Sequence, residues 1–154
     1  RGQPAVIVAD PTQIRQVAMN LIINAAEAVD EHTGAISVAT GIEQLSEWKL
    51  ADMRFGADAS PGTYAYLEVR DNGPGIDADT LARIFNPFFT TKHSGHGLGL
   101  AAVQGIVRGH RGALHVDSWP GRGSRFCVWF PVAPDQVPDT SPRSPSASAV
   151  TSKS

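Results

Sequence analysis

The feature that most constrains the fold is a run of closely spaced glycines that leads directly into a helical pattern. In "HGLGLAAVQGIVRGHRGALHVD", residues 96–117, Gly97, Gly99 and Ala102 open the helix, a strand pattern follows, and Asp117 lies about 20 residues further on. This spacing is typical of dinucleotide-binding βαβ units, which also need a buried strand ending at the first glycine. The preceding residues, "TTKHSGH", are polar and form no such strand. The Rossmann interpretation therefore fails, and an oxidoreductase is kept only as an alternative.

The same residues still indicate a phosphate site. Glycine lets the backbone approach a ligand closely, and a helix that begins near Gly99 points unpaired N–H groups and the positive end of its dipole at an anion. No G-x-x-x-x-G-K-[ST] sequence occurs, so the expected phosphate binder is not a Walker-type P-loop.

Composition excludes several classes of function. Thirteen basic and fifteen acidic residues give a net charge of −2, so neither nucleic acid nor a membrane surface is expected as a partner. No apolar run approaches 18 residues, and the first residues lack the apolar core of a signal peptide, which predicts a cytoplasmic domain. The single cysteine, Cys127, lies in a strand-like run and is expected to be a buried hydrophobe rather than a nucleophile.

Hydrophobic periodicity predicts an α+β fold with helices on one face of a mixed sheet. Residues 1–133 form the predicted domain, and residues 134–154, rich in Pro and Ser, are expected to be a disordered tail or linker. A long connection with one short helix is expected over residues 43–62, and the turn-rich "SWPGRG" predicts a hairpin between the last two strands. The predicted elements are strands 5–9, 35–40, 63–70, 112–117 and 124–131 and helices 11–30 and 97–109.

The first helix has a well-specified start and an unusual polar stripe. Asp10 can cap the helix, and Pro11 fits its first position. Asn20 and Asn24 lie one turn apart with Glu27 on the next turn, although asparagine is a poor residue for a plain solvent-facing helix surface. The stripe is either the solvent face of the helix or a set of oxygen ligands for a hard cation such as Mg²⁺, completed by waters and substrate phosphates.

The strand pattern before the first glycine turn ends in an acid on its apolar face. In "TYAYLEVRDNGPGI" Ala65, Leu67 and Val69 share one face, and the alternation places Asp71 on it as well. A buried carboxylate needs a partner, because an unpaired one is expensive to bury. The partner is either a backbone amide of the turn that follows or a ligand's amino group in an apolar cleft, and the strand pattern leaves both interpretations open.

An aromatic block, "IFNPFF", precedes the glycines. Taken in isolation, it predicts a small core cluster. The polar residues 90–96 after it have no apolar anchor and are expected to form a lid over a pocket. Within this lid Lys92 is either a phosphate ligand or a solvated charge.

Four blocks in this order carry a resemblance to a known family. "NLIINAAEA" (20–28), "DNGPGI" (71–76), "FNPFFTTK" (85–92) and "GHGLGL" (95–100) closely resemble the N, G1, F and G2 boxes of the ATP-binding catalytic domain of bacterial sensor histidine kinases. That superfamily also holds gyrase, Hsp90 and MutL, and the resemblance covers residues 5–133. It implies a two-layer Bergerat α/β sandwich with ATP held between the helices and a flexible lid.

The resemblance also implies roles for single residues. Asn24 would coordinate the Mg²⁺ that bridges the ATP phosphates, and Asp71 would accept a hydrogen bond from the adenine amino group. Ser124 resembles the hydroxyl residue near that aspartate, where threonine is commoner. The ATP-binding residues implied by the four boxes and this hydroxyl are Asn20, Asn24, Glu27, Ala28, Asp71, Gly73, Gly75, Ile76, Lys92, His96, Gly97, Leu98, Gly99, Leu100 and Ser124.

Two departures from the family pattern matter. His96 stands where the family usually has a small hydroxyl residue, so a lid contact to phosphate is expected to change or to depend on pH. Asn20 stands where the ATPase branch carries a glutamate that activates water, which favours phosphoryl transfer to a histidine over ATP hydrolysis. A superfamily ATPase and a non-catalytic, nucleotide-controlled regulatory module remain the alternatives.

The phosphoacceptor is not found in this sequence. None of the five histidines, at positions 32, 93, 96, 110 and 115, lies in the helical pattern of His followed by an acid that marks the family's acceptor. The expected partners are therefore a histidine-bearing dimerisation domain and, downstream, a response-regulator receiver domain. The amino-acid sequences of the boxes are most like those of nitrogen-regulatory and hybrid kinases.

Overall fold

The computed structural model describes residues 6–56, 58–86 and 99–133. The predicted tail 134–154 and the predicted lid at 90–96 lie outside these ranges. In chain order the described elements are α1 (Pro11–Ala28), β1 (Ile36–Leu45), α2 (Glu47–Ala51), β2 (Gly62–Asp71), α3 (Ala78–Leu81), α4 (Gly99–Gly109), β3 (Ala113–Trp119) and β4 (Gly123–Pro131).

The four strands form one sheet in the order β1-β2-β4-β3. The predicted α+β fold is confirmed, but the expectation of a mixed sheet needs correction, because β1–β2, β2–β4 and β4–β3 all pair antiparallel. The crossover through α4 does make β2 and β3 run in the same direction. Since the hairpin places β4 between them, these two strands are not neighbours and no parallel pair forms within the described sheet.

Helices α1 and α4 cover one face of the sheet, which we call the inner face. Val17, Leu21 and Ala25 of α1 are buried at helical spacing and belong to the main core cluster. From α4, Val103 and Val107 join the same cluster. The inward positions of the strands complete it, with Val69 from β2, Leu114 and Val116 from β3, and Phe126, Val128 and Phe130 from β4.

The opposite, outer face carries a second and smaller cluster. Leu50 of α2 packs there with Leu45, Tyr64 and Trp129, so the connection between β1 and β2 closes one end of this face. Cys127 is buried in this cluster, as predicted. Burial raises the pKa of its thiol to about 12, which excludes a thiolate nucleophile at neutral pH.

Helix boundaries follow local signals, whereas strand boundaries follow pairing. Asp10 caps α1 by accepting from the Thr12 amide at 2.9 Å, as its sequence predicts, and the helix ends at Ala28 because Val29 is already extended. Strand β1 continues to Leu45, beyond the predicted residue 40, because β2 offers a pairing partner up to Gly62. The predicted strand 5–9 appears, among the described residues, as the single bridge of Ile7 with Val132.

Candidate functional site

The carboxylate of Asp71 lies at the last position of β2 and is only 5% exposed. In the sheet it stands between Ile36 of β1 and Ser124 of β4. Its Oδ1 accepts a hydrogen bond from the Gly73 amide at 2.9 Å. The predicted turn contact is therefore formed, and it engages one of the two oxygens of a group that can accept about four hydrogen bonds.

The turn after Asp71 is pressed against α1 and against the end of β3. A Cβ on Gly73 would lie 2.5 Å from the carbonyl oxygen of Ala28, and one on Gly75 would lie 2.6 Å from the carbonyl oxygen of Trp119. Gly75 also has φ +80°, a conformation that other residues rarely adopt. Only glycine fits both positions, so the turn is fixed where the strand delivers Asp71.

Two hydroxyls, one buried and one half-buried, connect this turn to the β3–β4 hairpin. Ser124 is 4% exposed, and its Oγ lies 2.9 Å from the Oγ of Ser118. Ser118 in turn accepts from the Ile76 amide at 2.6 Å. Ser118 was not among the predicted site residues, although the alternation of Leu114 and Val116 continues to position 118 and places it on the same inner face.

The polar stripe of α1 faces the start of α4. The side-chain amide of Asn20 donates to the carbonyl oxygen of Gly99 at 3.1 Å, so the two helices are joined where α4 begins. This bond uses the nitrogen of Asn20 and leaves its side-chain carbonyl oxygen as an acceptor. Asn24 is half-buried and Glu27 is exposed, and both have interactions of their own within the protein. The stripe is thus not simply a solvent face, at least at Asn20.

The described part of α4, Gly99–Gly109, lies within the predicted helix 97–109, of which residues 97 and 98 are outside the described residues. Leu100, a predicted site residue, packs against the main core. Ile76 packs against the same core. The remaining predicted site residues, Lys92, His96, Gly97 and Leu98, lie outside the described residues.

The described residues contain no group of three or more His, Cys, Asp and Glu side chains that could hold a metal ion. The side-chain oxygens of Asn20 and Asn24 are of a donor type that Mg²⁺ accepts together with water and ligand oxygens. None of the described helices is long and apolar enough to cross a bilayer.

Comparison with known proteins identifies the fold and the family. Residues 9–134 match the family model described as histidine kinase-, DNA gyrase B- and HSP90-like ATPase. The chain belongs to this ATPase family. The four-box resemblance and the predicted Bergerat-type sandwich are thereby confirmed, and the ATPase domain is a nucleotide-binding catalytic domain of the sensor histidine kinase type.

The similar curated proteins are sensor kinases. The ATPase domain is 41% identical over 126 residues to the sensor histidine kinase ZraS of Escherichia coli O157:H7, 37% identical to the histidine-protein kinase AtoS of Escherichia coli K12, and 38% identical to the histidine kinase/phosphatase NtrB of Rhodobacter capsulatus. These alignments cover 82%, 83% and 83% of this chain but only 23%, 18% and 34% of the relatives. The ATPase domain therefore spans about a third or less of the length of these relatives.

Solved structures of similar proteins agree. The catalytic domain of histidine kinase ThkA superposes with a TM-score of 0.62 at 30% identity, covering 83% of this chain and 72% of that one. The mycobacterial sensor histidine kinase MprB gives 0.64 at 26% identity, covering 86% and 79%.

Proposed function

We propose that this ATPase domain holds Mg·ATP and presents its γ-phosphate to a histidine on a separate dimerisation domain, the autophosphorylation step of two-component signalling. The domain would work in the cytoplasm, and a response-regulator receiver domain would take the phosphoryl group next. The observation that carries the proposal is the buried carboxylate of Asp71 beside a turn that only glycine can form.

Asp71 suits recognition of an adenine amino group. An ionised carboxylate is an acceptor only, and the exocyclic amino group of adenine is a donor. The Gly73 amide holds one oxygen of Asp71 in place, so the carboxylate is oriented before a ligand arrives. Because the group is almost fully buried, an unmatched ligand that left it without a donor would bind poorly. The Ser124–Ser118–Ile76 hydrogen bonds support the turn after Asp71 from the hairpin side.

We propose that the triphosphate and its Mg²⁺ lie between α1 and the start of α4. Asn24 would supply a metal ligand, with Asn20 and Glu27 beside it, and the first amides of α4 would face the phosphates. Mg²⁺ would neutralise charge on the phosphate oxygens. The role of the protein is then positioning, because no described side chain acts as a covalent nucleophile in this proposal.

The acceptor would have to come from another domain. His110 is tied to the carbonyl oxygen of Ile106 at 2.8 Å and lies edge-on to Phe130, and His115 lies beside Asp117 on the outer face. Neither histidine lies on the inner face at the end of β2, where Asp71 is. An asparagine rather than a carboxylate at position 20 leaves no general base there for water, which favours transfer over hydrolysis.

Calorimetric titration tests the nucleotide site. The ATPase domain should bind ADP and a non-hydrolysable ATP analogue, with Mg²⁺ raising the affinity for the triphosphate, and should not prefer NADH. Asp71→Asn presents an NH₂ where an acceptor is needed and should weaken adenine-nucleotide binding by about 10- to 100-fold, the size of a lost hydrogen bond to a charged group. Asp79→Asn, at an exposed aspartate of α3, is the matched control and should bind like wild type. Unchanged affinity in Asp71→Asn removes this residue from the site.

Variants at the metal site and a transfer assay separate the alternatives. Asn24→Asp should change the Mg²⁺ dependence of triphosphate binding, and an ordinary Mg²⁺ response in this variant excludes Asn24 as a ligand. Radiolabel should move from ATP to a histidine-bearing dimerisation domain, such as that of a ZraS-type relative. Steady hydrolysis without transfer favours the ATPase alternative, and tight binding with neither reaction favours a regulatory module.

A further inference from the structure

The two edges of the sheet differ in how they are covered. At the β3 edge, Phe55 of the β1–β2 connection forms a bridge with Leu114, with amide-to-carbonyl distances of 3.0 and 2.8 Å in the two directions. At the other edge, none of the described segments pairs with β1 (Ile36–Leu45) along its side away from β2. The β3 edge is therefore paired by the chain itself at Leu114, whereas the β1 edge offers a longer row of backbone donors and acceptors.

The register identifies which groups point to the open edge. The Asn72 amide donates to the Ala35 carbonyl at 3.2 Å, so the hydrogen-bonded pairs with β2 fall on residues 35, 37, 39, 41 and 43. The amides and carbonyls of the alternate residues Val38, Thr40 and Ile42 consequently face away from β2. They form a continuous hydrogen-bonding edge over the middle of the strand.

The β1 edge lacks the usual protection against strand pairing. Its sequence, "ISVATGIEQL", contains no proline and no lysine, and its single charge, Glu43, is bound to Lys49 and to the indole of Trp129. The first five residues of the strand are exposed. Ile36 and Val38, which point to the inner face, are 37% and 50% exposed.

The sequence of β1 is complementary to itself in the antiparallel direction. With Ala39 opposite its own copy on a two-fold axis, Ile36 stands opposite Ile42 and Val38 opposite Thr40, so β-branched side chains meet across the inner face. On the outer face, small residues meet small residues, Ser37 against Gly41. Glu43 falls opposite Ala35, which avoids a like-charge pair.

We propose that β1 is an interaction surface for a second copy of this chain, through antiparallel β1–β1 pairing that continues the sheet across a two-fold axis. Pairing over residues 36–42 alone covers less area than the about 1,200 Å² that stable complexes bury. The dimer is therefore weak, with a dissociation constant on the order of 0.1 mM, and becomes populated where copies of the chain are held close together.

Sedimentation equilibrium of the full chain from about 10 μM to 1 mM tests the proposal. Wild type should shift from monomer towards dimer across this range. Thr40→Pro removes a backbone amide that is not hydrogen-bonded to β2. The fold should therefore persist, while the dimer weakens at least tenfold. Thr40→Val is the matched control, which keeps the amide and a β-branched side chain and should associate like wild type.

A second variant keeps the test decisive if the proline variant unfolds. Val38→Lys places a charge at an exposed inner-face position of the edge and should also abolish the dimer, with circular dichroism unchanged. Two results overturn the proposal. One is a wild-type chain that stays monomeric at 1 mM, and the other is a folded Thr40→Pro or Val38→Lys variant that dimerises as wild type does.

Discussion

The two ends of the sheet are built in different ways. At the end where β2 finishes, backbone segments touch one another through Gly73, Gly75 and Gly123, and the buried polar side chains are the carboxylate of Asp71 and the hydroxyl of Ser124. At the far end, where β1 turns into α2, large side chains such as Leu45, Leu50 and Trp129 fill the space. The first end has no room for added side-chain atoms at its glycines, whereas the second depends on the large side chains that fill it.

This difference separates binding from stability. Polar groups that are buried and held by backbone contacts keep their orientation without needing the ligand, which suits a binding site. An apolar cluster contributes to stability in proportion to the area that it buries and does not select a ligand. Substitutions at the two ends should therefore change different measured quantities.

The largest effect is expected at Gly123, which closes the site end. Its φ is +118°, and a Cβ would lie 2.0 Å from the carbonyl oxygen of Asp71. Gly123→Ala should lower the free energy of unfolding by about 3 kcal/mol or more, since neither backbone can move without disturbing the β2–β4 pairing. Gly121→Ala is the matched control, because Gly121 has φ +82° with open space around it and should cost only about 1 kcal/mol. Urea unfolding measures both, and equal losses would contradict the role of close backbone contact.

At the far end, Leu45→Ala should lower the free energy of unfolding by about 2–5 kcal/mol, because Leu45 is 2% exposed and its removal leaves a cavity. Nucleotide affinity per folded molecule should stay at the wild-type value, in contrast to Asp71→Asn. Urea unfolding and calorimetry on the same preparations test this division. A loss of affinity in Leu45→Ala would show that the two ends are coupled.

The smallest effect is expected at Glu43, a charged residue at the far end. Partial burial acts to raise its pKa, but hydrogen bonds from Lys49 and Trp129, together with the charge of Lys49, outweigh burial and hold the pKa below its ordinary 4.5. The ionised form therefore stabilises the fold above the unfolded-state pKa, and this contribution is lost as the pH falls through the lower folded-state pKa. Glu43→Gln should cost about 1 kcal/mol at pH 7.

The pH dependence provides the check on Glu43. The difference between wild type and Glu43→Gln should shrink below pH 4.5 and disappear once the folded-state carboxyl is protonated. Urea unfolding midpoints measured between pH 7 and pH 3 record this difference in stability. The control is Glu31→Gln, at an exposed acid in the turn after α1. A difference that stays constant over this range would assign the effect to packing instead.

Much of the candidate site could be predicted because its signals are local. The capping pair Asp10 and Pro11 marks the start of α1, and the alternation of apolar residues along β2 puts Asp71 on the buried face. Ser118 was missed, although the same kind of alternation reaches it in β3, because a serine near a turn gives no signal of its own until its partners at Ile76 and Ser124 are known.

The sequence by itself determined helices α1 and α4 but not the short α3, and it determined the turn glycines, the buried acid and the family, because each of these depends on residues close together in the chain or on a motif of fixed spacing. Tertiary structure alone decided that β4 lies between β2 and β3, that the sheet is antiparallel, and that Phe55 pairs with Leu114 at one edge while no described segment pairs with the free edge of β1. Strand order and register depend on pairing between segments far apart in sequence. Several pairings satisfy the same alternation of side chains, so only packing of the whole domain selects one.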